Sequence, residues 1–243
     1  MTVQPVLGAE IVLNTAAQEP FHTPDQTGLI DQLLHEAFSR AGISVTIRYR
    51  PAERALVNAN QGLADGDAFR VSGLSAKYKN LVKLTENIYT ASFSVFSKHE
   101  TRLKNGWKNL NGYRVGIIRG HKILEDSSIG GDVIYVPQEE SLFKMLAADR
   151  LDYALINTLR GSAIIRKYDL VEITQNIPAL FTQDMYVYLH KKNIEIVPTI
   201  DLVLKKMKED GTYMRIVKRA LVNDIGVQYK TIQLINNIHG PDI

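Results

Sequence analysis

Residues 43–71 read ISVTIRYRPAERALVNANQGLADGDAFRV, and this stretch decides the fold class. Ile43, Val45, Ile47 and Tyr49 alternate with Ser44, Thr46 and Arg48, the period of a half-buried strand. Pro51 opens a helix, because a fixed φ and a missing N–H cost little in a first turn. Ala55, Leu56 and Ala59 form its apolar stripe, Gly62 closes it, and a strand near Asp65–Val71 follows. Upstream, Glu10–Thr15 is a short β-rich run followed by the turn-like Gln18-Glu19-Pro20-Phe21. Thr27-Gly28 then opens a helix with Leu29, Ile30, Leu33, Leu34, Ala37, Phe38 and Ala41 at helical spacing, ended by Gly42. The order β-α-β-α-β predicts a mostly parallel sheet flanked by helices.

Downstream the pattern recurs. Ser92–Ser97 alternates apolar and polar residues, and Trp107–Gly112 leads into a strand, Tyr113–Ile118. A helix near His121, a strand at Val133–Val136 and a helix over Ser141–Ala148 come next. The strand Leu151–Ile156 and a helix through Ile164 and Ile165 complete a second set. Met185–Leu189 is strand-like, and Pro198 opens a helix with Ile200, Val203 and Met207. A last helix places Tyr213, Ile216, Val217, Ala220 and Leu221 at i, i+3, i+4, i+7 and i+8. Two stretches echo each other: Ala55–Phe69, with Gly62-Leu63-Ala64-Asp65 before its strand, and Leu142–Asn157, with Asp149-Arg150-Leu151-Asp152 before its own. Two such α/β units in one chain predict a two-lobed protein.

Composition narrows the function. The chain has 243 residues, 45% hydrophobic and 23% charged, an ordinary globular balance. Its net charge of +3 is too small for a nucleic-acid footprint. With no cysteine, disulfides, thiolate metal sites and cysteine nucleophiles are excluded. No apolar run approaches the roughly 20 residues of a membrane span. The opening Met1–Pro5 has neither the basic stretch nor the apolar core of a secretory signal.

Several segments together resemble the family 3 extracellular solute-binding proteins, which share the type II periplasmic-binding fold. These are Gly28-Leu29-Ile30-Asp31-Gln32-Leu33, Pro51-Ala52-Glu53-Arg54-Ala55-Leu56 with Gly62-Leu63-Ala64-Asp65-Gly66, the run Trp107–Gly116, and Ala147–Ala154. Each is loose, but their order and spacing span nearly the whole chain. The resemblance implies two hinge crossings, near Thr90–Lys98 and Gln183–Lys191. Lobe 1 would comprise residues 1–92 plus 191–243, with the C-terminal helices packed back on it, and lobe 2 residues 93–190. It also implies an exported, periplasmic monomer whose leader is absent from this sequence, with a ligand held between the lobes at strand ends. Its partners would be a small-molecule ligand and a membrane permease or receptor, with no nucleic acid, no cofactor and no metal.

The chain departs from the family's amino-acid binders at three positions. The arginine usually found beyond the third strand is missing from Val71-Ser72-Gly73-Leu74-Ser75-Ala76-Lys77-Tyr78. The ammonium-binding aspartate is replaced by Asn157, and the usual Thr/Ser before the lobe 2 helix by His121. Arg70, ending Asp67-Ala68-Phe69-Arg70, is the substitute: a guanidinium there can grip a carboxylate through two nitrogens, or alternatively pair with Asp65 or Asp67 at the sheet end. Glu19 and Phe21 follow the first strand, where the family lines its cleft; the alternatives are a solvated loop residue and a lid on the core. Tyr89 at the first crossing fits a ring wall or a buried hinge aromatic. His121 follows Gly120 at a helix start, where free N–H groups suit an anion. Arg119 and Arg54 are weaker candidates, and Trp107 is read as packing lobe 2 near the hinge.

Catalytic motifs are absent: no His-Glu-x-x-His, no Walker-type phosphate loop and no nucleophile elbow occur. The six histidines (His22, His35, His99, His121, His190 and His239) lack metal-ligand spacing. Non-catalytic solute binding for ABC-type uptake is therefore the expected function, with a ligand-sensing module as the alternative. A lyase or dehydratase on the same fold, with Glu19 and His121 as acid and base, is a further one.

Overall fold

The computed structural model describes residues 10–99, 110–119, 121–125 and 129–221. Trp107 and Gly120 lie outside them. The chain divides into two compact units. The first takes in residues up to Thr90 and from Asp184 onward, and the second runs from Ala91 to Gln183.

In the first unit, β1 (Glu10–Thr15), α1 (Leu29–Arg40), β2 (Ser44–Tyr49), α2 (Ala52–Asn60) and β3 (Gly66–Arg70) follow in the expected order. β1 lies between β2 and β3, parallel to both, with Leu13 opposite Ile47 and Gly66. The α1 stripe works as its spacing predicts: Leu29, Ile30, Leu33, Leu34, Ala37 and Phe38 are buried. Each large apolar side chain so buried contributes about 1.5–3 kcal/mol. Gly28 caps α1 because a Cβ there would lie 2.4 Å from the carbonyl oxygen of Phe21. Asp31, in the first turn, reaches back to accept from the N–H of Gly28 (3.1 Å) and Thr23 (3.0 Å) and pairs with His22 at 2.8 Å.

A short strand β4 (Leu81–Lys83) was not foreseen from the sequence, since three residues show no period. The long strand β5 (Tyr89–Ser97) carries the chain into the second unit.

There, β6 (Arg114–Ile118) is parallel to β7 (Asp132–Val136) and β8 (Tyr153–Asn157), and β8 is antiparallel to β5. Short α3 (Lys122–Glu125), α4 (Glu139–Ala147) and α5 (Thr158–Lys167) connect them. Phe96, Ile118, Val136, Leu142, Phe143, Ile156 and Ile164 build this unit's core. The two-residue strand β9 (Thr174–Gln175) pairs with β5.

β10 (Phe181–His190) carries the chain back and pairs antiparallel with β3 and β4. Finally α6 (Val197–Glu209) and α7 (Thr212–Arg219) pack on α1. Arg40 at the end of α1 ties them down, donating to Asp210 (2.5 Å) and to Thr212 (2.7 Å).

Candidate functional site

Parallel strands end on one edge of a sheet, so in the first unit the residues following β1, β2 and β3 share that edge. Arg70 is the last residue of β3. In a regular strand Asp67 and Arg70, three apart, would face opposite sides. Here Arg70 is opposite Tyr186 while Asp67 is opposite Tyr188, so three steps of β3 match two of β10. The extra residue is a β-bulge, which turns the side chains toward each other. Arg70 then donates from Nε to Asp67 Oδ1 at 2.8 Å and from Nη2 to Oδ2 at 3.0 Å. Nη2 also reaches the carbonyl of Ala52 at 3.0 Å. Among the described residues Nη1 has no partner, and the side chain is 13% exposed. Burial raises the pKa of the enclosed Asp67 carboxyl, and the Arg70 charge opposes that rise.

Beside this pair three rings meet. Phe21 lies 5.0 Å from Phe69 and 5.7 Å from Tyr89, centroid to centroid, and Phe69 lies 6.4 Å from Tyr89. Phe21 and Tyr89 are buried, and burial pushes the Tyr89 phenol far above its usual pKa. Glu19 is exposed in the loop after β1, and Arg54 is exposed on α2. Neighbouring Glu53 accepts from Lys77 Nζ (3.1 Å) and Tyr78 Oη (3.0 Å), which hold its carboxyl below the usual range.

The second unit repeats the arrangement with other groups. Asn157 ends β8 and caps α5, its Oδ1 accepting from the N–H of Leu159 (3.0 Å) and Arg160 (3.2 Å). The cap occupies the carbonyl oxygen and leaves the amide nitrogen, a donor. One turn on, Arg160 donates through Nε to Glu139 Oε1 at 3.1 Å, with a second bond from Nη2 to Oε2. This pair joins the first turns of α4 and α5. His121 heads α3, its carbonyl accepting from Leu124 N (2.8 Å) and Glu125 N (3.0 Å). His121 is exposed at the head of α3; partial desolvation lowers its imidazole pKa, the charge of Arg160 lowers it further, and that of Glu125 opposes the fall. Its side chain makes no hydrogen bond among the described residues. Arg119 is exposed, its guanidinium 5.8 Å from the centroid of the Tyr135 ring.

The sequence-predicted residues thus fall into two sets, Arg70 with Phe21 and Tyr89 in one unit, His121 with Asn157 in the other. Phe69, Arg160 and Glu139 join them without having been singled out. Phe69 adjoins Arg70, and Arg160 lies one turn beyond Asn157, but the partnership of Arg160 with Glu139 links residues 21 apart. No periodicity announces that pairing.

A histidine kinase sensor domain with similarity to periplasmic binding proteins has the same architecture, at a TM-score of 0.70, with 20% identity, covering 87% of this chain and 95% of that one. This is the type II periplasmic-binding-protein fold. An amino acid ABC transporter substrate-binding protein from Streptococcus pneumoniae, bound to L-arginine, shares the fold at a TM-score of 0.68. It is 17% identical, over 89% of this chain and 96% of its own. An uncharacterized protein of Shewanella oneidensis is 23% identical over 191 residues, 76% of this chain and 72% of that protein. No family model matches the chain. The pneumococcal neighbour is a substrate-binding protein, and among the described residues of this chain no helix is long and apolar enough to cross a membrane.

Proposed function

We propose that the chain is a non-catalytic binder of a small, polar, carboxylate-bearing solute, exported to the periplasm, which hands its ligand to an ABC-type transporter. The observation that carries this reading is the state of Arg70. Three of its hydrogen bonds are already made to the protein, its position is fixed, and Nη1 remains to donate. A guanidinium held in this way loses little freedom when it takes up an anion.

The ring group of Phe21, Phe69 and Tyr89 supplies an apolar wall, with Glu19 and Arg54 at its margin. His121, Asn157 and Arg119 would approach from the second unit when the two close on the ligand by bending at β5 and β10. With its carbonyl oxygen occupied, Asn157 offers its amide nitrogen as a donor, which suits an acceptor on the ligand. The protein acts as a monomer and needs no cofactor. The amino-acid ligand of the pneumococcal neighbour supports this solute class.

Thermal-shift screening against organic acids, amino acids and sugars tests the reading. A ligand at 100 times its Kd adds about 2.7 kcal/mol, roughly 5–10 °C for a chain of this size. Arg70→Lys keeps a charge beside Asp67 but loses the fork, and should abolish the shift for an anionic ligand. Unchanged binding by that variant would remove Arg70 from the site. Recovery of the bound acid unchanged separates a binder from a lyase or dehydratase.

The likeness to a histidine kinase sensor domain favours a second reading, a sensing module. A signalling domain on the full-length gene product decides for it; a ligand-dependent complex with a permease decides for uptake.

A further inference from the structure

The outer side of the first unit carries a groove of about 850 Å³ between α1, the start of β2 and α7, far in sequence from Arg70. Its floor is polar and already organised. His35 Nε2 and Gln26 Oε1 lie 3.2 Å apart, and the same oxygen accepts from the N–H of Ile47 at 3.0 Å. Gln26 thereby covers the free edge of β2, the outermost strand of this unit's sheet. One wall is α7, whose exposed residues Arg215, Lys218 and Arg219 are all cationic. Arg219 donates to the side-chain Oε1 of Gln32 at 2.5 Å, and among the described residues none of the three meets a carboxylate. The nearby acids are occupied, since Arg40 holds both Glu36 (2.8 Å) and Asp210 (2.5 Å).

Like charges at i, i+3 and i, i+4 repel on a helix. The α7 C-terminus accounts for Lys218 and Arg219, but Arg215 lies a turn earlier. A cationic wall that meets no carboxylate among the described residues, beside a hydrogen-bonding floor, complements an anionic occupant. The groove opens to solvent and is not an enclosed cavity, which suits a segment lying in it better than a buried small ion. Because it is concave, a flat lipid surface would meet its rims and not its floor.

We infer that this groove docks an acidic segment of a partner protein, held by Arg215 and Arg219 independently of the solute site. A fluorescein-labelled glutamate-rich decapeptide, followed by anisotropy on the full chain, is the probe. Binding is expected at low salt and should weaken as screening shortens from about 30 Å at 0.01 M to about 8 Å at 0.15 M. Arg215→Glu with Arg219→Glu should weaken it by about tenfold or more. Lys205→Glu with Lys206→Glu, on the exposed side of α6, should leave it nearly unchanged, and a glutamine-rich peptide should not bind. All these substitutions are at exposed positions, and an unchanged circular-dichroism spectrum with a retained cooperative melt of the free protein reports that the fold is intact, whatever the outcome at the solute site.

Equal losses in both charge-reversed variants would reduce the effect to general attraction and overturn the inference. So would competition by inorganic phosphate at equal molar charge, which makes the groove a small-anion site. Binding only to vesicles containing phosphatidylglycerol would assign the patch to membranes, and no binding at low salt would end the case.

Discussion

Replacing Arg70 with alanine in the ligand-free protein should destabilise it by about 3–5 kcal/mol at neutral pH, the usual consequence of leaving a buried charge without its partner. Asp67 is fully enclosed, and Arg70 is its cationic partner at 2.8 and 3.0 Å. Two charge-assisted bonds at about 1.5–3 kcal/mol each give about 3–6 kcal/mol, an overlapping range. At 2–4 °C per kcal/mol the midpoint should fall by roughly 6–20 °C. The loss should also depend on pH in a definite direction. Burial raises the pKa of Asp67, and Arg70 opposes that rise, so in the variant the folded carboxyl holds its proton to still higher pH. A carboxyl with a raised folded pKa binds protons better folded than unfolded. Stability therefore falls as pH climbs from the ordinary carboxylate value through the raised one. Urea unfolding from pH 4 to pH 8 should show a small penalty at the acid end and the full one at the alkaline end. Adding Asp67→Asn should restore much of the loss at pH 8, because no charge is then buried. A penalty under about 1 kcal/mol, the scale of an exposed pair, or one that is flat across this range, would refute the reasoning.

Other perturbations have simpler outcomes. Asn157→Ala removes the α5 cap and should cost about 1 kcal/mol by urea unfolding, whereas Asn157→Asp, which keeps an acceptor, should be near neutral. Gly161→Ala would place a Cβ 2.3 Å from two ring carbons of buried Phe96 and should destabilise by about 1–3 kcal/mol, despite alanine's better helix propensity. The affinity of a solute found by screening should change less than about threefold between 50 and 500 mM salt, because Asp67 and Glu139 already neutralise Arg70 and Arg160 and recognition then rests on short-range hydrogen bonds.

The fold was legible because its signals are local and repeated. The alternation over Ile43–Tyr49, the stripe Leu29–Phe38 and the stop at Gly62 each constrain a single element, and the elements come in α/β order. β4 and β9 escaped because strands of three and two residues have no period, existing only through their pairing with β10 and β5. The positions of Arg70 at the end of β3 and Tyr89 at the start of β5 were legible because strand ends and crossings can be counted along the chain. The pairing of Arg70 with Asp67 was legible only as one of two alternatives, since it depends on a register shift against a strand more than 110 residues away. Arg160 and Glu139 meet only because α4 and α5 pack side by side.

That register shift ties the proposed ligand contact to the way the chain returns from the second unit. β10 is the template against which the extra residue of β3 is measured, and the same strand carries the chain back at Asp184. Tyr188 on β10 is enclosed; its hydroxyl donates to the carbonyl of Val71 at 2.9 Å and accepts from the N–H of Leu74 at 3.4 Å. β10 therefore fixes both the bulge that faces Arg70 toward Asp67 and the path of the chain immediately after Arg70. A one-residue slip of β10 against β3 would exchange the faces of this ladder and separate the guanidinium from its buried partner. The energy of the Asp67–Arg70 pair thus resists slippage of β10 against β3.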